Sequence, residues 1–228
     1  MKDLTLAYSP YGNGDSIFPF DEVFTYAQDA KSVGFAGADA FVLWGGTDIH
    51  PSYYKQAHHP MSGAPSQPSE RDVWEWKAML HCKANKIPII GVCRGAQFLC
   101  AFAGGKLVQH MMGHNSGNHP VVDNKGLVYS ATSSHHQMMD LYGSKYELLA
   151  WTPVPLSKVY MGETAKTADH LRFQIEKGVF KEPEIVYFPD VDGLAIQGHP
   201  EWANSTDTFV KECNKYIVDL LLTKTVWR

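Results

Sequence analysis

Short apolar runs alternate with longer segments of helical spacing along the first half of the chain. Leu4–Tyr8, Ala40–Trp44 and Ile87–Val92 are rich in apolar residues, which is typical of buried strands. The segments between these runs include Asp21–Val33 and Arg71–Asn85, where apolar residues recur at helical spacing. The pattern therefore predicts strands and helices in alternation.

The second half begins with shorter elements and returns to this alternation near its end. Leu127–Trp151 predicts short strands and loops, whereas Thr152–Asp169 follows no regular pattern. Glu184–Phe188 and Gly193–Gln197 are predicted strands, and Thr206–Leu222 is a predicted final helix. Alternating helices and buried strands favour a doubly wound α/β fold.

The stretch PIIGVCRGAQFL, residues 88–99, lies where a predicted strand meets a predicted helix. Cys93 occupies the turn, and Gly91 and Gly95 stand two residues to either side of it. A sharp strand-to-helix turn strains its central residue, and glycines remove the side chains that would collide there. This is the nucleophile-elbow pattern G-x-S-x-G with cysteine in place of serine.

Composition sets the class of protein but not its activity. The 228 residues suit one sizeable domain, residues 1–228, with 44% hydrophobic and 19% charged residues and a net charge of −4. Without a basic block we expect no nucleic-acid partner, and without an apolar stretch of about 20 residues we expect no membrane span. The first residues lack the apolar run of a secretory signal, and the four cysteines are scattered, so we expect reduced thiols and a cytoplasmic location.

A catalytic cysteine needs a base, and that base usually needs an orienting group. The stretch QGHPEW, residues 197–202, directly follows a predicted strand, where open α/β sheets build their sites. His199 and Glu201 are two residues apart and separated by Pro200, so in extended backbone both project to one side. The carboxylate can then hold one imidazole nitrogen while the other faces a thiol.

Two backbone N–H groups are candidates for an oxyanion hole. Gly45 and Gly46 end a predicted strand, where missing side chains leave main-chain donors unobstructed. Gly46 N–H and Arg94 N–H, the latter just after the cysteine, are the natural pair. The Arg94 side chain is not required for this role.

Each of these features also has a structural interpretation. Cysteine is often buried, and we expect Cys82, Cys100 and Cys213 to be core residues because they lie within helical patterns. A lone histidine such as His199 is commonly structural, and Trp202, like Trp74 and Trp76, is most simply a packing residue. The three features together, each at a strand end, favour catalysis.

The histidine-rich stretch QHMMGHNSGNHP raises the question of a metal. His110, His114 and His119 lie within it, but it contains no carboxylate or cysteine. A metal site needs three or four ligands that converge, so we expect none here.

The segments GVCRGAQ, SSHHQ and GHPE, in that order, resemble the class I glutamine amidotransferase superfamily. The chain is most similar to its γ-glutamyl-γ-aminobutyrate hydrolase-like branch, in which a strand ends in Gly-Gly before an Asp-x-x-Pro-x-x-Tyr run. Here that run is matched by Gly45, Gly46, Asp48, Pro51 and Tyr54. The similarity extends from about residue 40 to 202, and ERDVWEWKAML and AGGKLVQ also resemble the branch.

The resemblance implies a three-layer α/β/α sandwich around a mostly parallel sheet, with a Cys-His-Glu triad and no cofactor. By position, Cys93 would be the nucleophile, His199 the base and then acid, and Glu201 the orienting carboxylate. Gly46 and Arg94 would supply the oxyanion N–H groups. The residues implied in holding the glutamyl group are Gln97, Ser134 and His135.

Two positions depart from the branch. Trp44 stands where a small residue or proline is common, which would alter the pocket rim. ATSS, residues 131–134, stands where the branch has Val-Asn-Ser, which leaves the leaving group open.

The implied activity is hydrolysis of the γ-glutamyl amide of glutamine through a thioester, with a separate synthetase subunit receiving the ammonia. The alternatives are a stand-alone hydrolase of larger γ-glutamyl amines and a non-catalytic binding module with the same fold.

Overall fold

The computed structural model describes residues 3–12, 17–115, 117–162, 175–176 and 179–222. Its strands are β1 Thr5–Tyr8, β2 Tyr26–Asp29, β3 Ala40–Leu43, β4 Ile89–Val92, β5 Lys106–Val108, β6 His110–Met111, β7 Asn118–Asp123, β8 Val128–Thr132, β9 Met138–Asp140, β10 Glu147–Trp151, β11 Tyr160–Met161, β12 Ile175–Glu176, β13 Val179–Phe180, β14 Pro183–Phe188 and β15 Gly193–Ile196. Its α-helices are α1 Ala30–Val33, α2 Glu70–Asn85, α3 Arg94–Phe102 and α4 Thr208–Tyr216. Short 3₁₀ turns cover Pro51–Tyr54, Pro189–Val191 and Pro200–Trp202, and a π-helix covers Ile217–Leu222.

The main sheet has nine strands in the order β2-β1-β3-β4-β15-β14-β10-β7-β8. Strands β2, β1, β3, β4 and β15 pair in parallel, whereas β15 to β8 pair antiparallel. The sheet is thus mixed: the α/β fold is confirmed, but only the half that contains the cysteine turn has the parallel pairing expected for most of the sheet.

Helices pack on both faces of the sheet, as expected for a three-layer sandwich. One core joins the sheet to α2 and α3 through Met79, Phe98 and Leu99. The other joins it to α4 and the segment before β2, through Phe209 and Phe24. Strands β3, β4 and β15 are buried along their whole length, which explains their continuous apolar runs.

Strands β4 and β15 are neighbours, with Val92 opposite Ile196. Because they run in parallel, the residues that follow them leave the sheet at the same edge. Strand β4 is shorter than the predicted Ile87–Val92, since Pro88 has no N–H to donate to a neighbouring strand.

The predicted helix over Asp21–Val33 is wrong in part. Tyr26–Asp29 is strand β2, which pairs in parallel with β1, and only Ala30–Val33 is helical. This edge strand has no fully buried residue, so it lacks the alternation that reveals a strand. The Asp29 side chain accepts hydrogen bonds from Lys31 and Ser32 and caps the short helix.

The irregular segment Thr152–Asp169 lies only partly within the described residues, which here stop at residue 162 and include strand β11. No helix in the described part of the chain is both long and apolar enough to cross a membrane.

Candidate active site

Cys93 lies in a strained turn between β4 and α3. Its backbone has φ 51° and ψ −106°, a left-handed conformation that is unfavourable for a residue with a side chain. The two glycines are required by close approach: a Cβ on Gly91 would lie 2.4 Å from the Gly95 carbonyl oxygen, and one on Gly95 would lie 2.2 Å from the Leu43 oxygen. The Cys93 N–H donates to the Ile196 carbonyl at 2.8 Å, which ties the turn to β15.

His199 and Glu201 follow β15 on the same edge of the sheet. The His199 Nδ1 lies 2.8 Å from Glu201 Oε1, and both side chains are buried. The backbone of His199 is held by β8, because its N–H donates to the Thr132 carbonyl at 3.2 Å and the Thr132 hydroxyl donates to its carbonyl. The carboxylate therefore holds the proton on Nδ1 and leaves Nε2 with a lone pair when the ring is neutral.

The structure brings the cysteine and the histidine against the same glycine. A Cβ on Gly45 would lie 2.9 Å from His199 Cε1 and 3.6 Å from Cys93 Cβ. Burial alone lowers the pKa of His199, but the side chains of Cys93 and Glu201 raise it, and the result is about 9. His199 Nε2 has no other hydrogen-bond partner in the described residues. The imidazolium form is thus favoured beside the sulfur.

Gly46 and Arg94 are the residues expected to supply the oxyanion N–H groups. Gly46 has φ 147° and lines the same pocket as Cys93, and Arg94 is the first residue of α3, whose N–H has no partner within the helix. A Cβ on Gly46 would lie 2.3 Å from the Arg71 guanidinium, so no larger residue fits there. Gly46 therefore lines the same pocket as Cys93, and Arg94 directly follows Cys93 in the chain.

A buried charge network fixes the loop that carries Gly46. Arg71 on α2 donates to the Trp44 carbonyl at 2.7 Å and to the Gly45 carbonyl at 3.0 Å. Its Nε also pairs with Glu75 at 2.9 Å. Arg71 thus positions the loop, a role that the sequence did not suggest. The available signal was the pair Arg71 and Glu75, a basic and an acidic residue four apart on one helix face.

The Arg94 side chain points away from the pocket. Its guanidinium is buried and pairs with Glu75 at 2.5 Å and with Asp72. Asp72 also takes part in the capping box that starts α2, together with Ser69. The Arg94 side chain thus joins α3 to α2, in keeping with a role for its backbone alone in the pocket.

The pocket has a volume of about 370 Å³ and is open to solvent. Besides the residues already described, Gly12, Ser134 and Trp202 line it. Trp202 is 60% exposed, and its ring stacks on the His199 ring with centroids 3.6 Å apart. Trp202 was expected only to pack, but it also forms a wall of the pocket.

Trp44 is not itself part of the pocket lining. It is fully buried and stacks on Phe20 in the core. Its effect on the pocket is indirect, because a Cβ on Gly12 would lie 2.6 Å from the Trp44 Cβ, which leaves room only for glycine at that wall.

The three residues implied in glutamyl binding have different surroundings. Ser134 lines the pocket. Gln97 is buried, and its side-chain amide donates to the Gln137 carbonyl at 3.2 Å. The His135 N–H donates to the His114 carbonyl at 2.8 Å, which leaves only the His135 carbonyl for a backbone contact with a substrate.

The Asp48-x-x-Pro51-x-x-Tyr54 run lies outside the lining of the pocket. Asp48 accepts from the Gly63 N–H at 2.7 Å and from His136 at 3.1 Å. Tyr54 is buried against α3. The run therefore anchors the loop that precedes α2. The remaining cysteines, Cys82, Cys100 and Cys213, are buried and free, as expected of core residues.

Two curated proteins are similar in sequence to parts of this chain. A Mycobacterium tuberculosis protein with the provisional name glutamine amidotransferase is 30% identical over 181 residues, which are 76% of this chain and 54% of that protein. The carbamoyl phosphate synthase small chain of Buchnera aphidicola is 38% identical over 76 residues, 33% of this chain and 19% of its own length. The chain thus spans about half the length of the first relative and less of the second.

The crystal structure of a glutamine amidotransferase from Thermotoga maritima has the same fold. It superposes with a TM-score of 0.57 over 98% of this chain and 90% of its own, at 13% identity. The Peptidase C26 family matches residues 26–156, more than half of the chain. The chain therefore belongs to the Peptidase C26 family, a class I glutamine amidotransferase-like family of amide-bond hydrolases.

Proposed function

We propose that this protein hydrolyses the γ-glutamyl amide of glutamine, with Cys93 as nucleophile, His199 as acid and base, and Glu201 as orienting carboxylate. The observation that carries the proposal is the strained Cys93 beside a histidine whose Nδ1 is held by Glu201 at 2.8 Å. Strain of this kind persists only where the surrounding structure enforces it, and it is concentrated at functional sites. Membership of a family of amide-bond hydrolases supports the same chemistry.

The first half of the reaction is acylation. Because the pKa of His199 is raised to about 9, its imidazolium is the main form at neutral pH and can pair with a Cys93 thiolate. The thiolate attacks the amide carbonyl carbon, and the oxyanion accepts hydrogen bonds from the Gly46 and Arg94 N–H groups. His199 then gives its proton to the departing nitrogen, the carbon–nitrogen bond breaks, and a thioester remains.

The second half is hydrolysis of the thioester. His199, now neutral, takes a proton from a water molecule whose oxygen attacks the thioester carbonyl. The carbon–sulfur bond breaks and releases glutamate, and the thiolate and imidazolium are restored. Glu201 stays ionised throughout and keeps the ring in one orientation.

Ammonia from glutamine would be passed to a separate synthetase. The similarity to carbamoyl phosphate synthase small chains supports a partner of this kind. A partner that couples the two reactions should raise the rate of glutamine hydrolysis when it is added.

A stand-alone hydrolase of larger γ-glutamyl amines is the second candidate. Trp202, 60% exposed on the pocket wall, offers an aromatic surface against which a larger leaving amine could pack. This observation favours an amine larger than ammonia.

One experiment separates the candidates. The purified chain is incubated with glutamine and with a panel of γ-glutamyl amines, and the released nitrogen compound is identified by mass spectrometry. Ammonia from glutamine supports the first candidate, and preferential release of a larger amine supports the second. If no substrate turns over and iodoacetamide fails to modify Cys93 selectively at neutral pH, the chain is a binding module and the proposal is wrong.

A further inference from the structure

A buried cluster of four side chains lies outside the pocket. It consists of His114, His119, His135 and Glu184, called here the His₃Glu cluster. One potential ligand atom from each residue lies within 4.8 Å of the other three. The residues come from four segments: the loop before β7, strand β7, the loop after β8, and strand β14.

Each histidine of the His₃Glu cluster has one ring nitrogen engaged by an acceptor. His114 Nε2 lies 3.0 Å from Glu182 Oε2, His119 Nδ1 lies 3.2 Å from the Pro120 carbonyl, and His135 Nδ1 lies 2.7 Å from the Gln137 carbonyl. An acceptor at one nitrogen keeps the proton there, so the other nitrogen presents a lone pair. For His114 and His119, the nitrogens with the lone pair, Nδ1 and Nε2, are the ones that face Glu184. Metal-binding histidines are held in this way by carboxylates and carbonyls.

The converging atoms lack hydrogen-bond partners. His114 Nδ1, His119 Nε2, His135 Nε2 and both carboxylate oxygens of Glu184 are buried without one in the described part of the chain. Buried polar atoms are almost always paired, because leaving them unpaired is unfavourable. Unpaired atoms from four residues, whose ligand atoms lie within 4.8 Å of one another, indicate a ligand between them.

Two of the separations match those between metal ligands better than those of hydrogen bonds. Glu184 Oε1 lies 3.5 Å from His114 Nδ1 and 3.4 Å from His119 Nε2. Hydrogen bonds between such atoms are usually shorter. Ligand atoms at the corners of a tetrahedron with metal bonds of about 2.0–2.1 Å are about 3.3–3.4 Å apart.

We propose that the His₃Glu cluster binds one divalent transition-metal ion, with Zn²⁺ as the best match. Three imidazoles and one carboxylate suit zinc and its neighbours, whereas Ca²⁺ and Mg²⁺ prefer oxygen ligands alone. Four protein ligands complete a tetrahedron, so no position is open for a substrate. The ion has a structural role: it ties β7 and β14 to the loop that carries Ser134 on the pocket wall.

Glu182 completes the surroundings of the ion. Its carboxylate accepts from His114, and its other partners are Thr152, the Leu156 and Ser157 N–H groups, and Tyr160. These donors hold Glu182 as a carboxylate. With the Glu184 carboxylate it would balance the two charges of the ion.

The test measures metal on the full chain directly. The purified protein is analysed for metal by mass spectrometry, then stripped with a chelator and reconstituted with Zn²⁺ or Co²⁺. We expect one equivalent per chain and the intense visible absorption of four-coordinate Co²⁺. His119→Gln and Glu184→Gln should abolish stoichiometric binding, with folding checked by circular dichroism.

His110→Gln is the matched control. His110 is a partly buried histidine that pairs with His136 at 3.2 Å and belongs to the same histidine-rich stretch. This variant should keep its metal. The proposal is overturned if His110→Gln loses the metal and His119→Gln keeps it, or if the unmodified chain binds no stoichiometric metal after both expression and reconstitution.

The unmodified chain also provides a test that is independent of any variant's folding. X-ray absorption spectroscopy of the zinc-loaded chain should show four light-atom ligands that include imidazoles. A six-coordinate, water-rich environment would overturn the proposal.

Discussion

The cysteine turn and the His₃Glu cluster are connected by one loop but are built in different ways. Cys93 gets its conformation from neighbours in the chain, because Gly91 and Gly95 allow its φ of 51°. The cluster draws its four members from segments that only the fold brings together. Ser134 touches the pocket and His135 belongs to the cluster, so the loop between β8 and β9 joins the two regions.

The two regions differ in what they favour: the turn favours a chemical reaction, and the cluster favours a stable fold. In the turn, the backbone of Cys93 is strained and the pKa of His199 is raised, and both features favour a reaction. In the cluster, fixed tautomers and four converging ligands favour one stable arrangement. Changes in the turn should therefore alter turnover more than stability, and changes in the cluster should do the reverse.

The largest effect is expected from Cys93→Ala. Without the nucleophile no thioester forms, and turnover should fall by about 10⁴–10⁶-fold while the melting temperature stays near that of the unmodified protein. Steady-state kinetics on the best substrate and a thermal melt measure both. Cys82→Ala, a buried cysteine on α2, is the control and should keep its turnover. Equal activity of the two variants would remove Cys93 from the mechanism.

Glu201→Gln should lower turnover by about 10³–10⁴-fold, because an amide can donate to His199 Nδ1 and favour the wrong tautomer. The measurement is kcat for the variant and for Glu147→Gln, which removes an exposed carboxylate on β10. Similar values for the two variants would mean that Glu201 does not orient the histidine.

Removal of the metal tests whether the His₃Glu cluster stabilises the fold. Chelation should lower the melting temperature by about 5–15 °C, since a ligand present at about 1,000 times its dissociation constant stabilises the folded state by about 4 kcal/mol. Differential scanning calorimetry with and without a chelator measures the shift, and Zn²⁺ should restore it. The same treatment of His119→Gln should change nothing. An equal shift in the melting temperature of His119→Gln would mean that the metal binds at another site.

The smallest effect on stability and activity is expected when a rise in pH removes the proton from His199. Because its pKa is raised from 6.5 to about 9 in the folded protein, its stabilising contribution is present in full below pH 6.5 and is lost as the pH rises through 9. The same loss of the proton should lower kcat/KM above pH 9. In Cys93→Ser the pKa of His199 should fall, which NMR titration of the imidazole measures. An unchanged pKa would mean that the sulfur does not act on the ring.

The parts of the site that depend on local sequence could be predicted. The strand-to-helix turn at Cys93, the position of α2 and the strand before His199 follow from short patterns, and the structure has them where expected. Local patterns carry this information because apolar runs and glycines act over a few residues.

Contacts between distant segments could not be predicted. Trp44 was expected to alter the pocket rim, and it lies in the core, where it stacks on Phe20 and contacts Gly12. The stretch with His114 and His119 contains no carboxylate, and Glu184, which faces them, comes from strand β14. These residues come together only in the folded chain, through strands β7 and β14 and the loop before β7.

The face-to-face contact of Trp202 with His199 has a spectroscopic consequence. Charged imidazolium rings quench indole fluorescence on contact, and here the centroids are 3.6 Å apart. The fluorescence of Trp202 should therefore increase when the His199 ring loses its proton. The emission intensity would then report the protonation state of His199.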